Sequence, residues 1–142
     1  MYKNILLPVD LNDEASWSTA LPAAVSQAEA SGATLTLLAV VPDFGMNVVG
    51  NFFPEEYEKE AVKAAAGQLD ALAAEHVPSA VSSSTTVAYG TIYEEILNTA
   101  NKAGSDLIVI ASHRPALKDY LLGPNAARVA RHAGCSVLIV RA

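Results

Sequence analysis

Five short apolar stretches punctuate the chain, separated by segments of helical period. Ile5-Leu6-Leu7-Pro8-Val9 is apolar at every position before Asp10, the habit of a strand buried on both faces. Thr34 to Val41 repeats it and is stopped by Pro42. Ser82 to Tyr89 is a weaker strand, polar enough for a sheet edge. Leu107-Ile108-Val109-Ile110-Ala111 is the most apolar run, and Val137-Leu138-Ile139-Val140 closes the series.

Helical patterns fill the gaps. Asn12-Asp13-Glu14 predicts a helix start, with acids in the first turn and Gly32 as the C-terminal cap; Pro22 kinks that helix or delays its start. Pro54-Glu55-Glu56 opens the longest helix, to about His76, with Tyr57, Ala61, Ala65, Leu69, Leu72 and Ala73 at helical spacing. Thr91 and Glu94 form a capping-box pattern before a helix through Ala103, and a short helix runs from Pro124 to Ala133, stopped by Gly134. Residues 42–53, with Gly45, Gly50 and the apolar Phe44, Met46, Phe52 and Phe53, read as a long loop.

Strands alternating with helices predict an α/β fold. Right-handed crossovers then require a single open five-stranded parallel sheet with helices on both faces, Rossmann-like. Ligands of such sheets bind beyond the carboxyl ends of the strands, where strand order reverses. The residues to inspect are therefore Asp10, Val41-Pro42, Gly90 and Ser112-His113-Arg114.

Composition narrows the function. The 142 residues make one domain, 1–142, with no repeat or linker. Half the residues are hydrophobic, so the chain can bury a core. A net charge of −6 argues against a broad nucleic-acid or anionic-membrane surface. The single cysteine, Cys135, excludes a disulfide framework and reads as an inert small hydrophobe before a buried strand. No apolar run approaches the roughly 20 residues of a membrane helix, and no leader pattern is present. A soluble cytoplasmic protein is expected, without membrane insertion.

Two turns carry candidate chemistry. The first, Asp10 to Glu14, has three carboxylates and no glycine, so it would repel phosphate. Asp10 either accepts hydrogen bonds from a ribose or adenine or only caps the helix after it. In the second, Ser112, His113 and Arg114 follow the apolar strand, and Gly123-Pro124-Asn125 opens a helix. A hydroxyl, an imidazole, a guanidinium and a helix N-terminus make an anion site if they converge. His76 and His132 sit near helix ends and read as surface groups; three scattered histidines make no metal site.

The stretch Ala111-Ser112-His113-Arg114-Pro115, Tyr120-Leu121-Leu122-Gly123, Asn125-Ala126-Ala127 and Arg131 to Leu138 resembles the C-terminal motif of universal stress proteins, closest to their F/G-type nucleotide-binding subgroup. Ile5 to Asp10 and Val40-Val41-Pro42 match as well. The resemblance implies strand order 3-2-1-4-5, a homodimer, and bound ATP, with or without Mg²⁺. By position, Pro8, Val9 and Asp10 would face adenine and ribose, and Val41 would flank adenine. Ala111, Ser112, His113, Arg114, Gly123, Pro124 and Asn125 would hold ribose and phosphates. Asp10 and Asp13 would meet a metal only through a Mg-nucleotide.

Two departures from the family pattern G-x2-G-x9-G-[ST] stand out. Ala111 and Arg114 replace its first two glycines in a loop one residue shorter, a form the F/G-type subgroup shares. Pro124 replaces the usual serine, removing an N–H and a hydroxyl that would each be worth about 0.5–3 kcal/mol to a phosphate.

The reading is a regulatory stress-response protein that binds ATP or a relative and acts through a protein partner. The alternatives are a nucleotide-free interaction module and a slow ATPase or phosphotransferase; no second catalytic group is evident beside Asp10 and Asp13. A phospho-receiver domain is excluded, since Tyr89-Gly90 and Arg141-Ala142 stand where it needs an aspartate and a lysine. In order 3-2-1-4-5 the last strand is an unblocked apolar edge, which predicts a homodimer through residues 136–141. The competing expectation is a monomer whose edge the 42–53 loop covers.

Overall fold

The computed structural model describes residues 1–42, 54–112 and 123–141. Five parallel strands form one sheet in the order β3-β2-β1-β4-β5: β1 Asn4–Val9, β2 Thr34–Pro42, β3 Ser83–Gly90, β4 Leu107–Ser112 and β5 Ser136–Arg141. The helices are α1 Ala20–Ser31, α2 Pro54–His76, α3 Ile92–Ala103 and α4 Gly123–His132.

Alternation along the strands sorts the core into two layers. Ile5, Leu7 and Val9 of β1 join Leu35, Leu37, Val109 and Ala111 beneath α1 and α2, through Leu21, Ala24, Val25 and Leu69. Leu6, Leu38, Ile108 and Ile110 point the other way, against Ile96 and Ala100 of α3 and Ala126 and Val129 of α4. Ile5–Val9 of β1 and Leu107–Ala111 of β4 are apolar at every position because both faces are covered.

Three local expectations change. The chain after Asp10 forms a short 3-10 turn over Glu14–Ser16, and α1 starts only at Ala20. Pro22 thereby falls in the first turn, where its missing N–H costs no helical bond. Gly32 is the left-handed cap, at φ 67°. Thr91 is the N-cap of α3, yet its side chain makes no capping bond. Tyr57 stands exposed near the start of α2, and Ala65 and Leu69 carry the burial instead. The 43–53 loop lies outside the described residues.

Asp106 ties the start of the sheet together. Its carboxylate accepts the backbone N–H groups of Lys3 (2.8 Å) and Asn4 (3.0 Å), and its own N–H donates to the Asn4 carbonyl. Burial pushes this carboxyl up, but those N–H groups, its own amide and the Lys3 ammonium outweigh it and hold it below its ordinary 3.8. A carboxyl lowered on folding stabilises fully above its unfolded value and loses that contribution as pH falls through the folded one. Asp106→Asn is expected to cost about 1 kcal/mol at pH 7, the exposed bonds being discounted for screening. It should also flatten the loss of stability below pH 4. Urea unfolding between pH 2.5 and 7 measures both.

Candidate nucleotide crevice

The strand order reverses at β1: β2 and β3 lie on one side, β4 and β5 on the other. The β1–β2 register runs for six pairs, Asn4 with Thr34 through Val9 with Ala39. The β1–β4 register holds only Ile5 with Leu107 and Leu6 with Ile108, at the amino ends. Pro8 supplies the reason. The Asn4 carbonyl accepts from Asp106, so the backbone of Asn4 faces β4, while Lys3 faces β2 through Thr34. Two and four residues on, Leu6 and Pro8 face β4 as well. Pro8 has no N–H to give, and the ladder ends before it. Beyond Leu6 the two central strands carry no registered pair, and the crevice begins there.

Asp10 closes β1 at the lip of the crevice. It is 8% exposed. Its Oδ1 accepts the Asn12 N–H at 3.0 Å, an Asx turn, and its carbonyl accepts the Asp13 N–H at 3.0 Å. Asp13 then caps the 3-10 turn by accepting from the Ala15 N–H at 3.1 Å. Ser16 locks this loop and was not singled out by sequence reasoning. Its hydroxyl, fully buried, accepts the Asp10 N–H at 2.9 Å and donates to the Asp10 carbonyl at 3.0 Å. The one available signal was a small hydroxyl six residues after a strand-end aspartate. Ser16→Ala leaves the buried Asp10 N–H without this acceptor, so a loss of about 1–3 kcal/mol is expected. Denaturant unfolding tests it, with unchanged stability as the contrary result.

Val41 and Pro42 end β2 beside Tyr89 and Gly90 of β3. Gly90 has φ 150°, and a Cβ there would stand 3.0 Å from the Glu95 carboxylate. The positive φ favours glycine, and any larger residue would also make the Glu95 side chain shift. On the other lip, Ala111 is buried and Ser112 half-buried, paired with Val140 and Arg141 of β5. Gly123 and Pro124 open α4 and Asn125 follows, half-buried. Pro124 sits in the first turn, where proline is compatible with a helix.

The fold thus brings Pro8, Val9, Asp10, Val41, Ala111, Ser112 and the start of α4 to the carboxyl ends of adjacent strands. His113 and Arg114 lie outside the described residues. The first-turn carboxylates and the amino end of α4 belong to the segments on either side of the crevice. A ligand lying across it would meet acceptors at one end and helix N–H groups at the other.

The remaining candidates stand apart from the crevice. Cys135 borders a small cleft of about 200 Å³ with Leu97, Asn101, Ser105 and His132; burial and the nearby Asp106 charge push its thiol up, which disfavours the thiolate. His76 is tilted against Trp17, ring centroids 4.8 Å apart, and His132 against Tyr93 at 6.2 Å. Among the described residues no group of three or more His, Cys, Asp or Glu is placed to hold a metal ion. No described helix is long and apolar enough to cross a membrane.

An open parallel sheet whose central ladder breaks at the strand-order reversal defines a Rossmann-like α/β protein. The chain belongs to the universal stress protein family, whose model matches residues 1–141. It is 29% identical over 143 residues to universal stress protein G of Escherichia coli O157:H7, covering 99% of this chain and 100% of that one. The structure of universal stress protein UspA from Lactobacillus plantarum superposes with a TM-score of 0.71 at 30% identity, covering 99% and 98% of the two chains. Two more distant structures share the fold: a universal stress protein in complex with cAMP (TM-score 0.59, 21% identity, 99% and 97% covered) and one from Archaeoglobus fulgidus in complex with dAMP (0.58, 15%, 97% of each).

Proposed function

We propose that the crevice binds ATP or a related adenine nucleotide and that the protein serves the stress response as a cytoplasmic regulator, presenting its nucleotide state to a protein partner. The observation that carries this reading is the break in the β1–β4 ladder at Pro8, with Asp10 held rigidly at its lip. Adenine and ribose would lie against Pro8, Val9, Asp10 and Val41. Ribose and phosphates would lie along Ala111, Ser112, His113, Arg114, Gly123, Pro124 and Asn125. If Mg²⁺ accompanies the nucleotide, Asp10 and Asp13 are the carboxylates placed nearest to meet it, with the phosphates supplying the remaining ligands.

One oxygen each of Asp10 and Asp13 is held by a backbone N–H, and no second catalytic group is evident beside them. The reading therefore includes slow turnover or none, below the roughly 1 s⁻¹ at the foot of the usual enzyme range. Pro124 favours one competing reading, an interaction module with an empty crevice, because it withdraws an N–H from the helix start.

Purified protein should carry a chromophore absorbing at 260 nm, identified by mass as an adenine nucleotide, and the stripped protein should bind ATP in calorimetry. Protein that arrives without nucleotide and gives no heat with millimolar ATP would establish the empty module.

A further inference from the structure

Trp17 is the chain's only tryptophan, and the 3-10 turn behind Asp10 ends on it. Ser16 immediately precedes it, and the Ser16 hydroxyl bridges the N–H and the carbonyl of Asp10 at 2.9 and 3.0 Å. The Trp17 N–H donates to the Glu14 carbonyl at 3.1 Å, and the Trp17 carbonyl accepts the Leu21 N–H at 2.9 Å. Backbone bonds thus tie this residue to the lip of the crevice on one side and to the first turn of α1 on the other.

The indole meets the far end of a different element. His76 is the last residue of α2, and its ring lies 4.8 Å from that of Trp17, tilted by 48°. The tail of α2 is anchored around it. Leu72, Ala73 and Val77 pack against the core cluster that holds Ile5, Leu7 and Val9 of β1, and the Val77 N–H continues the helical bonding to Ala73. The imidazole is therefore a side group on a fixed base. Beside the two rings lies a cleft of about 270 Å³, bounded by Leu21, Pro22 and Val25 of α1 and by Pro78. The cleft gives the indole room to turn, and the imidazole is a wall that confines it. Trp17 also packs on the core, so the ring pair tunes the loop rather than carrying the fold.

We propose that the Trp17–His76 pair is a clasp by which the end of α2 holds the Asp10 loop in its binding shape, making both residues positioning residues for the ligand of the crevice. This extends the nucleotide reading of the crevice and rests on it. With the clasp loosened, the ligand has to order the loop as it binds, and its affinity falls by that cost. The coupling is reciprocal. A nucleotide that fixes Asp10 also fixes Trp17 against His76, so occupancy of the crevice is felt at the carboxyl end of α2.

Amide exchange followed by NMR tests the clasp without any ligand. His76→Ala should speed exchange of the Asp10 amide by about twofold to tenfold, the range that an aromatic pair spans. The change should exceed that of Leu37, which sits between β1 and β3 and reports global stability. Trp17→Leu should act alike, the double variant should add little to either, and His76→Phe, which keeps a ring, should match the parent. The His76 side chain is 35% exposed, which leaves the truncation room to fold. Calorimetry with ATP tests the consequence: His76→Ala should bind about twofold to tenfold more weakly, and His76→Phe like the parent. Asp10 exchange equal to the parent's in folded His76→Ala and Trp17→Leu would overturn the proposal. So would equal acceleration at Asp10 and Leu37, or an ATP affinity that neither variant changes. A parent that binds no nucleotide would fail the nucleotide reading instead, and the exchange comparison would still decide the clasp.

Discussion

Arg114→Ala is expected to weaken ATP binding by about tenfold to a hundredfold while leaving the melting temperature of the nucleotide-free protein nearly unchanged. Arg114 follows Ser112, the last residue of β4, by two positions. A hydrogen bond from a guanidinium to a phosphate oxygen contributes about 1.5–3 kcal/mol, which sets the range. The effect should be steepest for triphosphate and smallest for adenosine, because the lost partner is a charge. Pro124 sharpens this dependence: with no N–H at that position, the anion leans more heavily on the side chain. Calorimetry with ATP, AMP and adenosine measures it. Equal affinities in mutant and parent would remove Arg114 from the site, and an equal loss for all three ligands would assign it a structural role instead.

The parallel sheet was legible because Ile5–Val9 and Leu107–Ala111 are apolar at every position, a pattern that burial on two faces explains; its order came from the family resemblance, since the edge strand β5 is as apolar as the strands inside. The polar run Ser82 to Thr86 marked the other edge for the same reason in reverse; there Thr85 bonds Asp70 of α2 and Thr36 bonds Ser84. Errors fell where tertiary packing overrides a local signal. Acids at 12–14 suggested a helix, but Asp10, Asp13 and Ser16 spend their hydrogen bonds on closing a loop, so α1 waits for Ala20. Tyr57 fitted the helical period, yet the position is exposed, and periodicity says nothing of where a helix outruns the sheet beneath it. Asp10 and Pro8 were singled out by their place after or within β1. What sequence did not disclose was their mechanical part: Pro8 ends the ladder toward β4, and Ser16 holds Asp10 from behind. Both facts depend on which neighbour each backbone faces, and residue type alone carries no record of that.

The largest change in assembly is expected at β5. Leu138→Lys and Ile139→Lys should each weaken a homodimer formed through residues 136–141 at least tenfold, and together they should leave monomers. β5 is an edge strand. Leu138 and Ile139 point to opposite faces, and both stay exposed, at 36% and 38%. An apolar pair exposed on both faces of an unpaired edge is the signature of a strand awaiting a neighbour. Antiparallel pairing of two copies across a two-fold axis would satisfy the edge N–H and C=O groups and cover both side chains at once. Each substitution acts twice in a symmetric dimer. The partial burial lost in the two copies is worth about 1–2 kcal/mol, and opposed lysines across an antiparallel pair add repulsion. The monomer should tolerate either change, because each side chain already reaches water. Light scattering at micromolar concentration, with circular dichroism to confirm folding, decides the matter. It should be run in 500 mM NaCl, where exposed ion pairs are screened. A parent that is monomeric there rejects the β5 dimer, and a dimer that survives both lysines in a folded chain places the interface elsewhere.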